Sequence, residues 1–127
     1  MNMGLKNLQL DKKMEKKSGN GFFSWTKHSE AKMQQYMLSE SRVKRVIRNP
    51  LRVEKGIAPK TLASMQKAGS KKHPYEIWTM YQLTKGQEQN QIKVISAWKY
   101  PGVTQPGDPI PIPPDIFEEI IKSMKNN

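Results

Sequence analysis

Residues 75–83 read YEIWTMYQL and residues 91–99 read QIKVISAWK, and these two stretches decide the fold. Both are dense in β-branched and aromatic side chains, the residues that fit a pleated, half-buried surface. Lys85 to Asn90 between them supplies the turn, so the pair reads as two neighbouring strands. Strand alternation assigns Trp78, Tyr81 and Trp98 to the core. Upstream, Thr61 to Gln66 is another candidate strand, and Leu51, Val53 and Lys55 alternate with Arg52 and Glu54 in a further one. Gly56 with Pro59, and Gly69 to Pro74, are the intervening turns. Lys60 to Lys67 also fits a short helix, because Leu62, Met65 and Gln66 match a 3.6 period. Strand is preferred there, since neighbouring strands would satisfy the backbone groups on both sides.

Ahead of this sheet the period is helical. Phe22, Phe23 and Trp25 form a short extended lead-in, and Thr26 is an N-cap with Glu30 close enough to support the first turn. Ser29, Met33, Tyr36 and Met37 then share one helical face, with His28, Lys32 and Gln35 on the adjoining flank. Ser39 caps a second helix whose stripe is Val43, Val46 and Ile47, and Pro50 makes Asn49 its stop. Arg42, Lys44, Arg45 and Arg48 occupy the remaining faces of that helix. Like charges this close repel by a few tenths of a kcal/mol per i,i+4 pair unless an anion or acid intervenes.

Beyond residue 100 the composition changes. Six of the nine prolines fall between Pro101 and Pro114, so this stretch is expected to be extended and partly polyproline-like. Its reading is a strap across the surface rather than a ligand for a proline-binding groove. Asp115 opens a last helix with an apolar stripe of Phe117, Ile120, Ile121 and Met124, acids in the first turn and lysines in the last. At about eleven residues it is too short to be stable alone in water, so it must dock on its own body or on a partner.

Charge and composition narrow the function classes. The 127 residues carry 22 Lys plus Arg against 11 Asp plus Glu, a net charge of +11. Residues 1–20 contribute +3, residues 21–75 contribute +9 and residues 76–127 contribute −1. The positive charge therefore belongs to the first half of the folded part, and an acidic partner such as a phosphate backbone is the natural inference. Residues 1–20 read as a flexible basic arm, 21–100 as the domain, and 101–127 as a proline-rich extension with its amphipathic helix. The absence of cysteine excludes disulfides, thiolate zinc sites and cysteine nucleophiles. His28 and His73 lie far apart with no carboxylate cluster beside them, so no metal site is expected. Gly19-Asn20-Gly21 lacks the following Lys of a phosphate loop, and no small-molecule cofactor is implied. No apolar run approaches the roughly 18 residues of a membrane span, and the first residues lack the apolar core of a signal peptide. A cytoplasmic protein without a membrane partner is the expectation.

Trp25-Thr26-Lys27-His28-Ser29-Glu30-Ala31-Lys32-Met33, followed by Leu38-Ser39, Val43, Val46, Ile47, Asn49-Pro50 and Arg52-Val53, resembles the opening of a small bacterial family of unknown function. That family shares the BrnT-like version of the RelE/ParE toxin fold. Its pattern has a His in the first turn of helix one, a basic-Met pair four and five residues on, an apolar-Ser before helix two, and Asn-Pro before the first strand. Val94-Ile95-Ser96-Ala97-Trp98-Lys99 looks like its closing strand. The likeness covers roughly residues 23 to 100. Lys32 and Lys99 stand where the family usually has Arg, and Met37 where it commonly has Gly. Lysine keeps the charge and loses the planar two-pronged phosphate contact.

The resemblance implies an α+β fold, two N-terminal helices packed on a four-stranded antiparallel sheet, followed here by the proline-rich segment and C-terminal helix. It implies RNA or the ribosome as partner, an acidic antitoxin-like protein as a second partner, and metal-independent RNA cleavage as the activity. Such cleavage needs a base for the 2′-hydroxyl and fixed positive charge for the phosphorane. His28 is the candidate titrating group, Lys32 and Lys99 the candidate cations, and Tyr100 a base-stacking or proton-transfer group. The alternative for His28 is a structural histidine tying the helix start to the sheet. Lys27, Arg42, Lys44, Arg45, Arg48, Arg52, Lys71 and Lys72 are the candidate phosphate contacts, and His73 is read as an exposed turn residue. The competing function is a non-catalytic interaction module that binds an acidic protein.

Overall fold

The computed structural model describes residues 23–85 and 90–125; the basic arm expected over residues 1–20 lies outside them. The order of elements is β1 (Phe23–Trp25), α1 (Lys27–Gln35), α2 (Glu40–Arg48), β2 (Arg52–Lys55), β3 (Thr61–Gly69), β4 (Pro74–Lys85), β5 (Asn90–Pro101) and α3 (Pro114–Lys125). The class is α+β, as expected. The sheet differs from the expected one: it has five strands in the order β1-β5-β4-β3-β2, and it is mixed. The lead-in Phe23–Trp25 is itself a strand, lying parallel to β5 with Phe23 opposite Ile92 and Trp25 opposite Val94. All other neighbours are antiparallel.

Alternation along the long strands gives the sheet two buried faces. On the first, Ile77, Tyr81, Ile92, Val94 and Ala97 pack with Phe23 and with Met33, Val43 and Val46 of α1 and α2. On the second, Met65, Trp78, Met80 and Trp98 pack with Ile116 and Ile120 of α3. Trp78 and Trp98 are register partners with rings stacked at 6.4 Å. A register shift between Met80 and Tyr81 leaves Ile95 unmatched, since Met80 pairs with Ser96 and Tyr81 with Val94. This bulge is why Val94 and Ala97, three residues apart, reach the same face.

Local chemistry explains the helix ends. The Thr26 hydroxyl accepts from the Ser29 amide and donates to the Ile95 carbonyl, which stitches the start of α1 to the bulge in β5. Ser39 caps α2 by accepting from the Arg42 amide at 3.1 Å. α1 ends two residues earlier than its apolar spacing suggested: Tyr36 is the C-cap and Met37, 84% exposed, lies past the helix at φ +57°. The buried stripe of α3 is also turned from the expected one. Ile116 and Ile120 are buried, whereas Phe117 and Met124 remain 45% and 36% exposed. Five apolar residues span a broad arc of that helix, and docking on the tryptophan face selects the 116/120 edge.

The segment between β5 and α3 crosses the tryptophan face and is held by polar anchors. Trp98 Nε1 donates to the Pro111 carbonyl at 2.8 Å. Glu76, fully buried, accepts from Trp78 Nε1, the Thr104 amide and the Thr104 hydroxyl. Arg52 donates to Thr104 Oγ1, the Asp108 carbonyl and Glu54, and its guanidinium lies over the Trp78 ring.

Candidate functional site

His28 and Lys32 lie one turn apart on α1, so one flank carries both. Asp115 and Glu119 have the same spacing on α3, and the two pairs meet with the helices running in opposite directions. Lys32 Nζ donates to Asp115 Oδ2 at 2.6 Å and to Gln35 Oε1 at 3.2 Å, and Glu119 Oε1 is 3.5 Å away. His28 Nδ1 is 3.2 Å from Glu119 Oε1, while its Nε2 is 3.0 Å from the Ser96 hydroxyl. His28 thus ties the beginning of α1 to both β5 and α3.

Burial pushes the His28 imidazole below its ordinary value of 6.5; nearby Glu119 and Asp115 oppose this and Lys32 adds to it. The ring is therefore neutral at neutral pH. The hydrogen bond to Asp115 holds the Lys32 ammonium above 10.5, and the same bond holds the Asp115 carboxyl below 3.8. Ser96, His28 and Glu119 follow the order nucleophile, base, orienting acid. Ser96 is 0% exposed, however, so its hydroxyl meets no substrate and serves to position the ring. In this arrangement the imidazole and ammonium are committed to carboxylates of the same chain.

The other two residues expected in a catalytic set lie elsewhere. Lys99 points to the face opposite Ser96, with Nζ 5.3 Å from the Tyr75 ring centroid. Tyr100 packs against the tryptophan face, four residues beyond Ser96 and opposite Glu76, roughly 13 Å along the strand. His28 and Lys32 are brought together; Lys99 and Tyr100 do not join them.

Among the expected phosphate contacts, Arg52 is largely buried and occupied by the strap, so its charge serves the fold. The α2 cations remain on the surface around the buried Val43 and Val46. Lys44 and Arg48 sit over the Phe23 ring at 5.2 and 5.5 Å, which leaves part of each stem packed. Arg42 and Arg45 form no ion pair among the described residues. Gln66 donates to the Arg45 and Asn49 carbonyls, and β3 runs from there to the turn that exposes Lys71, Lys72 and His73. Lys27 is exposed at the start of α1.

Sequence reasoning missed Asp115, Glu119 and Ser96 as partners of the α1 flank. A usable signal existed in the matching i,i+4 spacing of the acids. It was absorbed by the simpler role of acids in the first turn of a helix. Among the described residues no group of His, Asp and Glu is arranged to hold a metal ion, and no helix is long and apolar enough to cross a membrane. Comparison with family models, curated proteins and solved structures gives no match to the chain.

Proposed function

We propose that this chain is an RNA-binding protein of the RelE/BrnT-like type, holding single-stranded RNA through the surface cations of α2 and the β3–β4 turn. The observation that carries the reading is α2 itself: Arg42 and Arg45 stand on a short helix with no carboxylate partner among the described residues. Phosphates would relieve their mutual repulsion and release counterions. The commitment of His28 and Lys32 to Glu119 and Asp115 supports holding RNA over cutting it. Lysine at residue 32 further supports this, because a planar fork is absent where charge on a phosphorane would develop.

The test is a gel shift with single-stranded RNA over a range of salt. Affinity falls linearly on a log–log plot, and Arg42→Ala/Arg45→Ala makes the slope shallower by roughly 1.4, at about 0.7 per phosphate contact on a single strand. Binding that is absent, or indifferent to salt, rejects the proposal. RNA cleavage in chelator that disappears in His28→Ala would replace holding by cutting.

A further inference from the structure

A cleft of about 500 Å³ opens at the end of the tryptophan face, where α3 leaves the sheet. Its floor is a cross-strand row: Thr61, Gln82 and Lys93 are successive register partners on β3, β4 and β5. Glu119, Ile120, Ser123 and Met124 of α3 form one wall, and Ala58 with Pro59 of the β2–β3 loop form another. His28 and the bulge residue Ile95 close the end nearest α1. The size lies within the range of small-molecule sites, and the lining sets apolar walls against a polar floor and end.

We infer that this cleft binds a nucleotide, its base between the apolar walls and its phosphate at Lys93. The base has Ile120 and Met124 on one side and Pro59 on the other. Gln82 Nε2 donates one N–H to the Pro59 carbonyl at 3.4 Å, which leaves its Oε1 and second N–H for a base edge, and Glu119 offers acceptors only. Glu119 Oε1 is engaged by His28 and Lys32, which fixes the carboxylate in the cleft lining. An acceptor-only carboxylate selects a base edge with adjacent N–H donors, and guanine has two. Lys93 has no ion pair among the described residues and supplies the charge for a phosphate. This inference rests on the RNA-binding reading by naming where one unit of the strand is recognised, since single-stranded RNA is read through splayed, stacked bases. A free nucleotide presents the same chemistry.

The experiment titrates the full chain with the four nucleoside 5′-monophosphates and with inorganic phosphate, by calorimetry. The expected result is saturable binding with guanosine monophosphate tightest and the pyrimidines about tenfold weaker, as for loss of one good two-pronged base contact. Ser123→Trp, an exposed position that fills the cleft, and Lys93→Ala each weaken it, while thermal melts confirm that both variants fold. Absence of binding, equal affinity for inorganic phosphate, or unchanged affinity in Ser123→Trp overturns the inference. RNA gel shifts run alongside keep the two readings apart. Salt-dependent RNA binding without nucleotide binding removes the cleft alone, whereas nucleotide binding without RNA binding keeps the cleft and removes the α2 surface. Competition of an RNA oligonucleotide for the monophosphate identifies the strand as the source; no competition assigns the cleft to the free nucleotide.

Discussion

Lys32 Nζ lies 2.6 Å from Asp115 Oδ2, a contact between residues 83 positions apart that places a C-terminal carboxylate where a phosphate oxygen would sit on this cation. Glu119 does the same for His28. The first prediction follows from that substitution of carboxylate for phosphate. Asp115→Asn should strengthen RNA binding modestly and steepen its salt dependence, because the surface beside Lys32 loses one negative charge while Glu119 keeps its place in the cleft. The cost in stability should be at most about 1 kcal/mol, since the Asp115 carboxylate is half exposed and screened by solvent while Ile116 and Ile120 keep α3 docked. Gel shifts and thermal melts measure the two effects; unchanged RNA affinity would show that the Asp115 charge does not act against the strand.

The second prediction concerns pH. Because burial lowers the His28 value in the folded protein, the unfolded chain binds the extra proton first as pH falls. Stability from the neutral ring is fully present above about 6.5, the ordinary unfolded value, and is lost as pH falls from there through the depressed folded value. Thermal melts between neutral and mildly acidic pH should show this loss, and His28→Gln should flatten it. Asp115, also lowered, adds a loss only at more acidic pH, below the ordinary carboxylate value. Lys32, raised, adds one only in strong alkali, as pH climbs from 10.5 through its folded value. An unaltered slope in His28→Gln would assign the acid loss to other groups.

A third prediction tests the strap. The Thr104 hydroxyl accepts from Arg52 Nη1 at 2.6 Å and donates to Glu76 at 2.9 Å, so one small group links a buried carboxylate to a buried guanidinium. Thr104→Val keeps the shape and removes the link, leaving both charges less satisfied. A loss of about 1–3 kcal/mol in denaturant unfolding is expected, with Thr104→Ser near wild type. Equal stability of Val and Ser variants would mean that the Thr104 amide and Trp78 Nε1 hold Glu76 without the hydroxyl.

Much of this architecture was legible in the chain because the signals are local. Thr26 and Ser39 are capping residues directly before helical periodicity, and residues 75–83 and 91–99 are dense in β formers with no Gly or Pro among them. Phe23–Trp25 was readable only as extended, because three residues hold no information about a parallel partner nearly seventy positions away. Arg52 misled for a related reason. On an alternating strand with Leu51 and Val53 beside it, the charged side chain reads as the solvent one, yet Arg52 is buried and both apolar neighbours are largely exposed. What decides this is the strap, which brings Thr104 and the Asp108 carbonyl to the guanidinium from more than fifty residues away. The candidate site divides in the same way. The i,i+4 pair of His28 and Lys32 was readable on one helix, whereas its acidic partners depend on how α3 crosses the sheet.

The last prediction reads the end of α1. The Leu38 amide donates to the Met33 carbonyl at 2.7 Å and the Met37 amide to the Gln34 carbonyl at 3.2 Å, the paired bonds that close a helix through one left-handed residue. That residue is Met37 at φ +57°, and its side chain is 84% exposed. A left-handed backbone costs a side-chain-bearing residue about 1–2 kcal/mol, while glycine brings an entropic cost of about 0.5–1 kcal/mol and no steric one. No packing is lost from so exposed a methionine, and the Leu38–Met33 apolar contact that accompanies the motif is untouched. Met37→Gly should therefore stabilise the fold by about 0.5 kcal/mol, and Met37→Val should destabilise it, because branching at Cβ worsens the left-handed clash. Paired urea titrations of the two variants measure the difference. Equal midpoints would mean that the turn rearranges and that the strain is not held at Met37.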